Sequence, residues 1–265
     1  MIDHQKEIIK CSSDFFYFCE NYIFVKTINF PVKFKLYEYQ KRLFTHWEKY
    51  DHSIQSKFRQ GGFTTLATIY ALWLCLFREN QKVVFCCHAD GMSQIVGERM
   101  LKFAITALPD WLKGNVLKMT NQYQKKFEDT NSSFVLKNPK NLSTIGEPIS
   151  LLILDEIDSC FTEKNWSAIY PQIKGKVIAQ STLSNNDTWF WTKLIDAKIK
   201  INSFNSFECH YKEHPEFDEK WEIEMKKNNI YWQQEFEQKA IDTDIKETIK
   251  EKKQKKKRYR DINEV

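Results

Sequence analysis

One stretch of the chain carries the residue types that a phosphate-binding loop needs. Such a loop uses glycines to turn backbone N–H groups toward phosphate oxygens, and it adds a cation and a hydroxyl group for Mg²⁺. Gly61, Gly62 and Thr64 fit this pattern, but Phe63 stands where a lysine usually precedes the hydroxyl residue. Lys57, at the front of the loop, can bring its ammonium group to the phosphates from the other side. The stretch therefore predicts a phosphate site with a relocated cation; the alternative is a tight glycine turn.

Two acids follow the most apolar segment of the sequence. Asp155 and Glu156 come directly after Leu151-Leu152-Ile153-Leu154, a pattern typical of a buried strand that ends in carboxylates. Asp155 is the expected Mg²⁺ ligand because a hard divalent ion prefers oxygen, and Glu156 is expected to orient and deprotonate a water molecule. The alternative is a strand end with two solvated acids. Asp158 is interpreted as a solvated or structural acid.

A polar segment follows another apolar stretch, KVIAQ. Ser181, Thr182 and Asn185 lie in this segment, and small hydroxyl and amide groups at a strand end can sense the γ-phosphate of a nucleotide. We expect these three residues to couple loss of that phosphate to the rest of the domain. Because the same residue types also form ordinary turns, the assignment depends on the two motifs described above.

The elements that must position these residues alternate between strands and helices. Helices are predicted at 36–50, 64–77, 91–107 and 164–171 and from residue 189, and strands at 82–88, 115–120, 133–138, 149–155 and 176–182. Residues 1–30, which are rich in aromatics, are predicted to form one short amphipathic helix and an extended segment. This alternation predicts an α/β fold with a mostly parallel central sheet, flanked by helices, that binds ligands at the carboxyl ends of its strands.

Composition narrows the class of protein. A chain of 265 residues that is 42% hydrophobic can bury the core of one large domain. It has no apolar run of the roughly 18 residues that span a bilayer, and its first residues, MIDHQKEIIK, are charged. These features predict a soluble, intracellular protein. Seven cysteines without a C-x-x-C pair are predicted to be reduced, buried thiols rather than zinc ligands.

Charge is concentrated near the carboxyl end. The segment 246–260 holds nine basic and two acidic residues, a local net of +7, so the rest of the chain is near −2. A basic tail attracts phosphate backbones through the release of counterions, which favours nucleic-acid contact there. The alternative is a solvated, disordered tail without a specific partner.

Taken in order, these segments resemble the ATPase domain of the large terminase subunit of tailed phages, over nearly the whole chain. FKLYEYQKRLF is similar to the family's adenine-binding motif, which implies adenine contacts from Tyr37 and Gln40; the alternative is a helix that is amphipathic only for packing. KFRQGGFTT resembles a deviant Walker A loop with its lysine at the front. This resemblance implies phosphate contacts from Lys57 and Arg59 and a Mg²⁺ ligand at Thr64. The implied ATP contacts of the loop are Lys57, Arg59, Gln60, Gly61, Gly62, Phe63, Thr64 and Thr65.

The rest of the resemblance concerns the acidic strand and the polar segment. LILDEID looks like Walker B with its catalytic glutamate, and STLSN like the coupling motif. The resemblance implies a P-loop NTPase fold of the RecA/ASCE type with a small helical lid subdomain, and ATP and Mg²⁺ as cofactors. The implied divisions are a brace or lid segment at 1–30, an ATPase core at 31–190, a lid subdomain at 191–245 and a basic, disordered tail at 246–265.

Three departures from the family pattern stand out. Ile145, beside Gly146, stands where the family commonly has an arginine before Walker B, so the arginine-finger role falls to Arg59, with Arg99 a poorer candidate. Leu183-Ser184 stands where threonine-proline is common. The residues after the coupling segment have room for a lid and a tail but not for the family's nuclease. We therefore expect a separate nuclease polypeptide, an isolated motor or a degenerate relative.

The function that this resemblance implies is ATP hydrolysis that drives double-stranded DNA into a capsid. The implied partners are DNA, the portal protein and the small terminase subunit, and the implied assembly is a ring at the procapsid in the infected host cytoplasm, with a monomer in isolation. One alternative is a non-catalytic assembly or DNA-binding module, favoured by Phe63 and Ile145. The other is a two-lobed helicase, which Gln40 and the string Asp155-Glu156-Ile157-Asp158 favour but for which the chain lacks a second lobe.

Overall fold

The computed structural model describes residues 3–26, 30–88, 95–114, 123–239, 249–250 and 254. Several sequence predictions fall wholly or partly outside these ranges. They are the strand at 115–120, the start of the helix at 91–107, parts of the segment at 1–30, the end of the lid subdomain at 191–245, and nearly all of the basic tail at 246–265.

The chain begins with two helices, α1 (His4–Ser13) and α2 (Phe15–Tyr22), and not with the single helix predicted. They are separate because Asp14 adopts an extended conformation and its carboxylate accepts a hydrogen bond from the amide of Tyr17, which caps α2. The predicted extended segment is β1 (Phe24–Lys26), which pairs antiparallel with β2 (Pro31–Lys33).

The amino-terminal helices pack on the central domain through aromatic side chains. Phe15 stacks on Phe44 with ring centroids 4.1 Å apart. The indole N–H of Trp73 donates to the carbonyl of Cys11 over 2.8 Å. These contacts attach the amino-terminal helices to the central domain, and the brace role of residues 1–30 stays a prediction.

Helix α3 (Glu38–Lys49) follows the brace and covers the core. The spacing of Leu36, Tyr39, Leu43 and Trp47 predicts one apolar face, and all four side chains are buried. The predicted helix at 36–50 is therefore confirmed within two residues at its start.

Within the described ranges, seven strands form the central sheet. They are β3 (His52–Ser56), β4 (Lys82–Cys87), β5 (Gln124–Phe127), β6 (Ser132–Lys137), β7 (Ile149–Asp155), β8 (Ile173–Ser181) and β9 (Asn205–Ser206). Their order is β5-β6-β4-β7-β8-β3-β9, and of the neighbouring pairs β5–β6 is antiparallel and the others are parallel. The predicted α/β fold with a mostly parallel sheet is confirmed.

Helices cover both faces of this sheet. The helices after β3 are α4 (Phe63–Phe77), a π-helical segment (Ile95–Leu101) that continues as α5 (Lys102–Ala107), α6 (Asp110–Lys113), α7 (Glu163–Ile169), α8 (Trp189–Lys198), α9 (Glu219–Asn228) and α10 (Trp232–Glu235), with 3-10 turns at Pro139–Thr144, Tyr170–Gln172 and Tyr211–Glu213. Successive residues of β7 pack alternately into two clusters, with Leu151 and Ile153 on one side and Leu152 and Leu154 on the other. A strand buried on both faces accounts for its unbroken apolar sequence. No helix in the described parts of the chain has both the length and the apolar content to cross a bilayer.

The central unit continues past residue 190, where the predicted core ended. Strand β9 pairs with β3, and Leu194 and Ile195 of α8 are buried in the cluster against the sheet. The following residues, 207–239, form the short helices α9 and α10, which lie beside the phosphate-loop candidate.

The seven cysteines are free thiols, and all except Cys160 are buried. Burial raises the pKa of the Cys160 thiol to about 11 and that of Cys11 to about 12. Such thiols stay protonated at neutral pH and pack as small apolar groups.

A buried histidine makes the aromatic packing of the carboxyl-terminal segment sensitive to pH. His214 is 6% exposed and stacks on Phe217 at 3.9 Å. Burial lowers its pKa below the usual 6.5, while Glu216 opposes that shift. The folded protein therefore binds a proton at His214 less readily than the unfolded protein does. The contribution of His214 to stability is fully present above pH 6.5 and is lost as the pH falls from 6.5 through the lower pKa of the folded state.

We therefore expect His214→Phe to reduce the stability lost between pH 7 and pH 5, measured as the free energy of unfolding in urea. The control is His4→Phe, at an exposed histidine that stacks on Trp111, which should leave the pH dependence unchanged. Equal pH dependence in wild type and His214→Phe would contradict the prediction.

Candidate active site

The candidate phosphate loop joins β3 to α4 and needs glycine at its last position. Gly62 is the residue before α4 and has a left-handed backbone with φ of 71°. A Cβ atom there would lie 2.6 Å from the side-chain nitrogen of Gln40. Glycine offers no side chain to cap α4, and a helix amino terminus attracts anions.

Two side chains of α3 hold this loop in place. The carbonyl of Gly61 accepts hydrogen bonds from the hydroxyl of Tyr39 over 2.6 Å and from the amide of Gln40 over 3.1 Å. The side-chain oxygen of Gln40 accepts a hydrogen bond from the backbone N–H of Tyr37. Gln40 therefore shapes the loop, and an adenine contact from it would require an exchange of these bonds. The sequence predicted only a packing role for Tyr39, on the apolar face of α3.

The other expected adenine contact, Tyr37, lies against the carboxyl-terminal segment. Its ring is 4.6 Å from that of His214, and its hydroxyl donates to Glu216. The ring is half-buried, so one part of it is accessible to a ligand. The adenine role stays a prediction.

Phe63 points into the core although it occupies the position of the usual lysine. It is 2% exposed and packs against Phe58 and Tyr39, with centroids 5.3 and 5.9 Å away. A lysine cannot replace this packing, since its charge would be buried without a partner. Phe63 therefore anchors the start of α4, and the cation of the site has to come from elsewhere.

That cation is Lys57, whose ammonium group lies between the two acids. Its nitrogen is 2.7 Å from Oδ1 of Asp155, 3.1 Å from Oε1 of Glu156 and 3.1 Å from the hydroxyl of Thr64. The side chain is 6% exposed. Lys57 follows β3 while the acids end β7, and β8 lies between these strands. Two strand spacings amount to roughly 10 Å, so the long lysine side chain is needed to bridge them.

The register of the sheet places a buried glutamine pair beneath Asp155. Asp155 is opposite Gln180 in β8, and Gln180 is opposite Gln55 in β3. The amide of Gln180 donates to Oδ1 of Asp155 over 2.7 Å, and Gln55 donates to Gln180 over 3.1 Å. Neither glutamine was predicted as a site residue; the available signal is a polar residue near the end of each strand.

Charges at the site stabilise one another in their ionised forms. Burial lowers the pKa of Lys57, but Asp155 and Glu156 raise it, and the net pKa lies above the usual value. Burial raises the pKa of Glu156, but the charge of Lys57 and hydrogen bonds from Lys57 and Thr182 lower it, and the net pKa lies below the usual value. Glu156 is therefore a carboxylate at neutral pH and able to accept a proton.

The polar segment after β8 contacts the acids. The amide and hydroxyl of Thr182 donate to Oε2 of Glu156 over 3.4 and 3.1 Å. Glu156 has a left-handed backbone with φ of 53°, a conformation that costs on the order of 1 kcal/mol for a non-glycine residue. Ser181 accepts a hydrogen bond from the amide of Asp158. Asn185, the third expected coupling residue, is exposed, while Ser184 contacts Asp158 instead.

Arg59 contacts the carboxyl-terminal segment and not the acids. Its Nε is 2.6 Å from Oε1 of Glu235, and its amide donates to the carbonyl of the same residue. The side chain is 60% exposed. In this arrangement Arg59 connects the loop to α10, which the sequence did not predict.

The remaining expected positions lie around the loop. Gln60 is exposed, with a left-handed backbone, and together with Thr65 and Arg99 it lines a surface cavity. Ile145 packs against the apolar cluster beside the sheet. The amide of Gly146 donates to Gln172.

The oxygens at the site suit a hard divalent cation. The hydroxyl of Thr64 donates to Oδ2 of Asp155 over 2.9 Å, and both converge on the positive charge of Lys57. Mg²⁺ binds through one or two protein oxygens and keeps much of its water, which these residues can provide. No cluster of three His, Cys, Asp or Glu residues is found in the described ranges, so a metal cage built from protein alone is not found there.

Removing the amide of Gln180 should weaken both the fold and the site. We expect Gln180→Leu to lower the free energy of unfolding by about 1–3 kcal/mol, since Gln55 and Asp155 lose a buried hydrogen-bond partner. Urea unfolding measures the loss. Gln81→Leu, which removes a hydrogen bond at an exposed position, should change stability by less than about 0.5 kcal/mol. Equal stability of the two variants would contradict the inferred role.

Comparison with solved structures identifies the fold, whereas no protein-family model matches the chain. The large terminase of bacteriophage HK97 is 17% identical, with 79% of this chain and 46% of that chain covered at a TM-score of 0.64. The large terminase ATPase domain of Thermus phage P74-26 is 18% identical over 78% of this chain and 94% of that one, at a TM-score of 0.62. The large terminase of a thermophilic bacteriophage, in complex with ATP-gamma-S, is 12% identical. The match covers 76% of this chain and 52% of that chain, at a TM-score of 0.61.

These matches cover different shares of the solved proteins. The chain spans about half the length of the large terminases of HK97 and of the thermophilic bacteriophage and nearly all of the separate ATPase domain. At such low identities the likeness concerns the fold. This chain therefore has the fold of the solved ATPase domains of phage large terminases.

Proposed function

We propose that this chain hydrolyses ATP and uses the reaction to move double-stranded DNA into a capsid. The observation that carries the proposal is the buried ammonium group of Lys57, which contacts Asp155, Glu156 and Thr64 beside the amino terminus of α4. Phosphoryl transfer depends mainly on the positioning and stabilisation of charge. A cation, two carboxylates, a hydroxyl and free helix amides at one sheet edge supply those functions.

In the proposed complex, the amides at the start of α4 bind phosphate oxygens and Lys57 neutralises their charge. The large terminase of the thermophilic bacteriophage, which has this fold, has been solved with ATP-gamma-S and with ADP, and this supports a nucleotide as the ligand here. Tyr37 is the proposed adenine contact because its ring is half-buried at the edge of the same loop.

In the proposed reaction, each acid has a separate task. Thr64 and Asp155 would hold Mg²⁺, which when bound neutralises phosphate charge. Glu156 accepts a proton from the attacking water, because its pKa is low enough to keep it ionised. Thr182 fixes one oxygen of Glu156 and Lys57 the other, so the carboxylate is oriented before a substrate arrives.

A phosphate-release assay tests the proposal. The purified chain with ATP and Mg²⁺ should release phosphate, and linear double-stranded DNA should raise the rate several-fold. No release with or without DNA would contradict an ATPase. Release that DNA leaves unchanged would contradict the DNA motor while the ATPase stands.

The partners follow from the terminase resemblance. We propose that double-stranded DNA, the portal protein and the small terminase subunit are partners, and that a homo-oligomeric ring forms at the procapsid in the infected cell. Sedimentation of the chain with DNA and ATP-gamma-S should reveal an oligomer that the chain alone does not form. Unwinding of a forked duplex would favour the helicase alternative instead.

A second candidate is a nucleotide-dependent assembly module without hydrolysis. It is favoured because Arg59 is bound to Glu235 and Ile145 packs in the apolar cluster. Neither position therefore presents an arginine to the acids. ATP binding without turnover, even in the presence of DNA, would establish this candidate in place of the motor.

A further inference from the structure

Asp158 is a buried carboxylate that the proposed chemistry does not use. It is 4% exposed, although the sequence also allowed a solvated acid. Its Oδ2 accepts from the amide of Ser184 over 2.6 Å and from the Ser184 hydroxyl, and its Oδ1 accepts from the hydroxyl of Thr188. The ion pairs of the site join other residues. Burial of a charge is costly unless hydrogen bonds satisfy it. Ser184 and Thr188 provide these bonds to the two oxygens of Asp158.

These bonds fix both ends of the segment 181–188. At its start, the amide of Asp158 donates to the hydroxyl of Ser181 over 3.2 Å. At its end, Thr188 caps α8 by accepting from the amide of Trp191 over 3.1 Å. Thr182, which binds Glu156 twice, lies between these points. Asp158 therefore holds the frame from which Thr182 reaches Glu156.

The same segment touches the carboxyl-terminal helix. The side-chain amide of Gln234 lies 3.5 Å from the carbonyl of Ser184, and the next residue, Glu235, binds Arg59 of the phosphate loop. A continuous series of contacts thus connects the acids, through Asp158 and Ser184, to α10, and α10 in turn contacts the phosphate loop. A displacement of Ser184 would reach both the acids and α10.

We propose that Asp158 is a positioning residue for hydrolysis. It holds 181–188 so that Thr182 orients Glu156, and it connects that orientation to α10 through Ser184. The inference rests on the proposed ATPase function and adds a residue that touches neither the nucleotide nor the acids through its own carboxylate. A residue of this kind should affect turnover and leave nucleotide affinity intact.

The first test compares Asp158→Asn with Asp187→Asn. Asparagine retains the shape of Asp158 but replaces one acceptor oxygen with a donor, so Ser184 or Thr188 loses its partner. Asp187 is an exposed acid of the same segment and controls for the change of charge. We expect Asp158→Asn to lower kcat about tenfold or more, with KM and the affinity for a fluorescent ATP analogue within about twofold of wild type. Asp187→Asn should match wild type.

Hydrogen exchange provides a readout that is independent of turnover. The amide of Ser184 is bound to Asp158, so peptides that cover 182–191 should exchange faster in Asp158→Asn than in Asp187→Asn or wild type. Unchanged exchange would overturn the structural part of the inference. Thermal melting of both variants checks that the fold is intact.

A double variant tests the route through Thr182. If Asp158 acts by way of Thr182, Asp158→Asn combined with Thr182→Ala should lower kcat no further than the more severe single variant. Losses that multiply would overturn this route. Wild-type kcat in Asp158→Asn, with an active wild type, would overturn the inference alone. A wild-type protein that never hydrolyses ATP would overturn the proposed function and this inference with it.

Discussion

Replacing Glu156 with glutamine should reduce ATP hydrolysis by about 100-fold or more while nucleotide binding persists. General bases contribute about 10²–10⁴ to enzymatic rates, and glutamine cannot accept the proton of the attacking water. It can still accept the hydrogen bonds that Thr182 donates to Glu156, so the local structure should survive. Phosphate release and the binding of a fluorescent ATP analogue measure the two effects separately.

The matched control for this variant is Glu128→Gln. Glu128 is exposed in the turn between β5 and β6, and its loss removes the same charge away from the acids. This control should hydrolyse ATP at the wild-type rate. Wild-type turnover in Glu156→Gln would show that another group activates the water.

Replacing Lys57 with methionine should weaken both nucleotide binding and the fold. Methionine fills much of the same space but leaves Asp155 and Glu156 without their cation. Loss of one partner of a buried ion pair typically costs about 3–5 kcal/mol. We therefore expect the free energy of unfolding at pH 7 to fall by about 3 kcal/mol, and binding of the ATP analogue to fall below detection.

The loss of stability in Lys57→Met should depend on pH. In the wild type the pKa of Glu156 is lowered, so its contribution is present above the usual 4.5 and lost as pH falls below it. In the variant, burial raises the pKa of Glu156 because the lysine charge no longer opposes this effect. Ionising Glu156 then costs stability, so the variant becomes less stable as the pH rises. Both effects make the difference between the proteins larger at pH 7 than at pH 4.

Urea unfolding at the two pH values tests this dependence. Lys140→Met changes an exposed lysine and should alter stability by less than about 0.5 kcal/mol at either pH. A Lys57→Met protein as stable as this control, or one that binds the ATP analogue with wild-type affinity, would remove Lys57 from the proposed site.

The convergence of the charged residues was predictable from strand patterns. Lys57 follows β3, Asp155 ends β7 and Glu156 comes directly after it, and the carboxyl ends of parallel strands share one edge of a sheet. Ser181 and Thr182, at the end of the predicted strand 176–182, were expected at the same edge of the sheet. Sequence periodicity does not specify the order of strands, however, and it is this order that inserts β8 between Lys57 and the acids.

The residues that the sequence missed depend on contacts between distant segments. Gln55 and Gln180 meet only because β3 and β8 are neighbours in register. Arg59 carries a charge that suits phosphate, but it meets Glu235, far along the chain. Strand β9 has two residues, too few for a pattern to be recognised. The role of each site residue in catalysis stays a prediction until the variants are measured.

The location of Lys57 has a mechanical consequence. In the usual arrangement the lysine sits at the start of the helix and moves with the glycine turn, whereas here it extends from the end of β3, whose backbone is bonded to β8. Its charge is thus anchored to the central sheet. A movement of the turn at Gly61 and Gly62 would therefore not by itself displace the cation from the two acids.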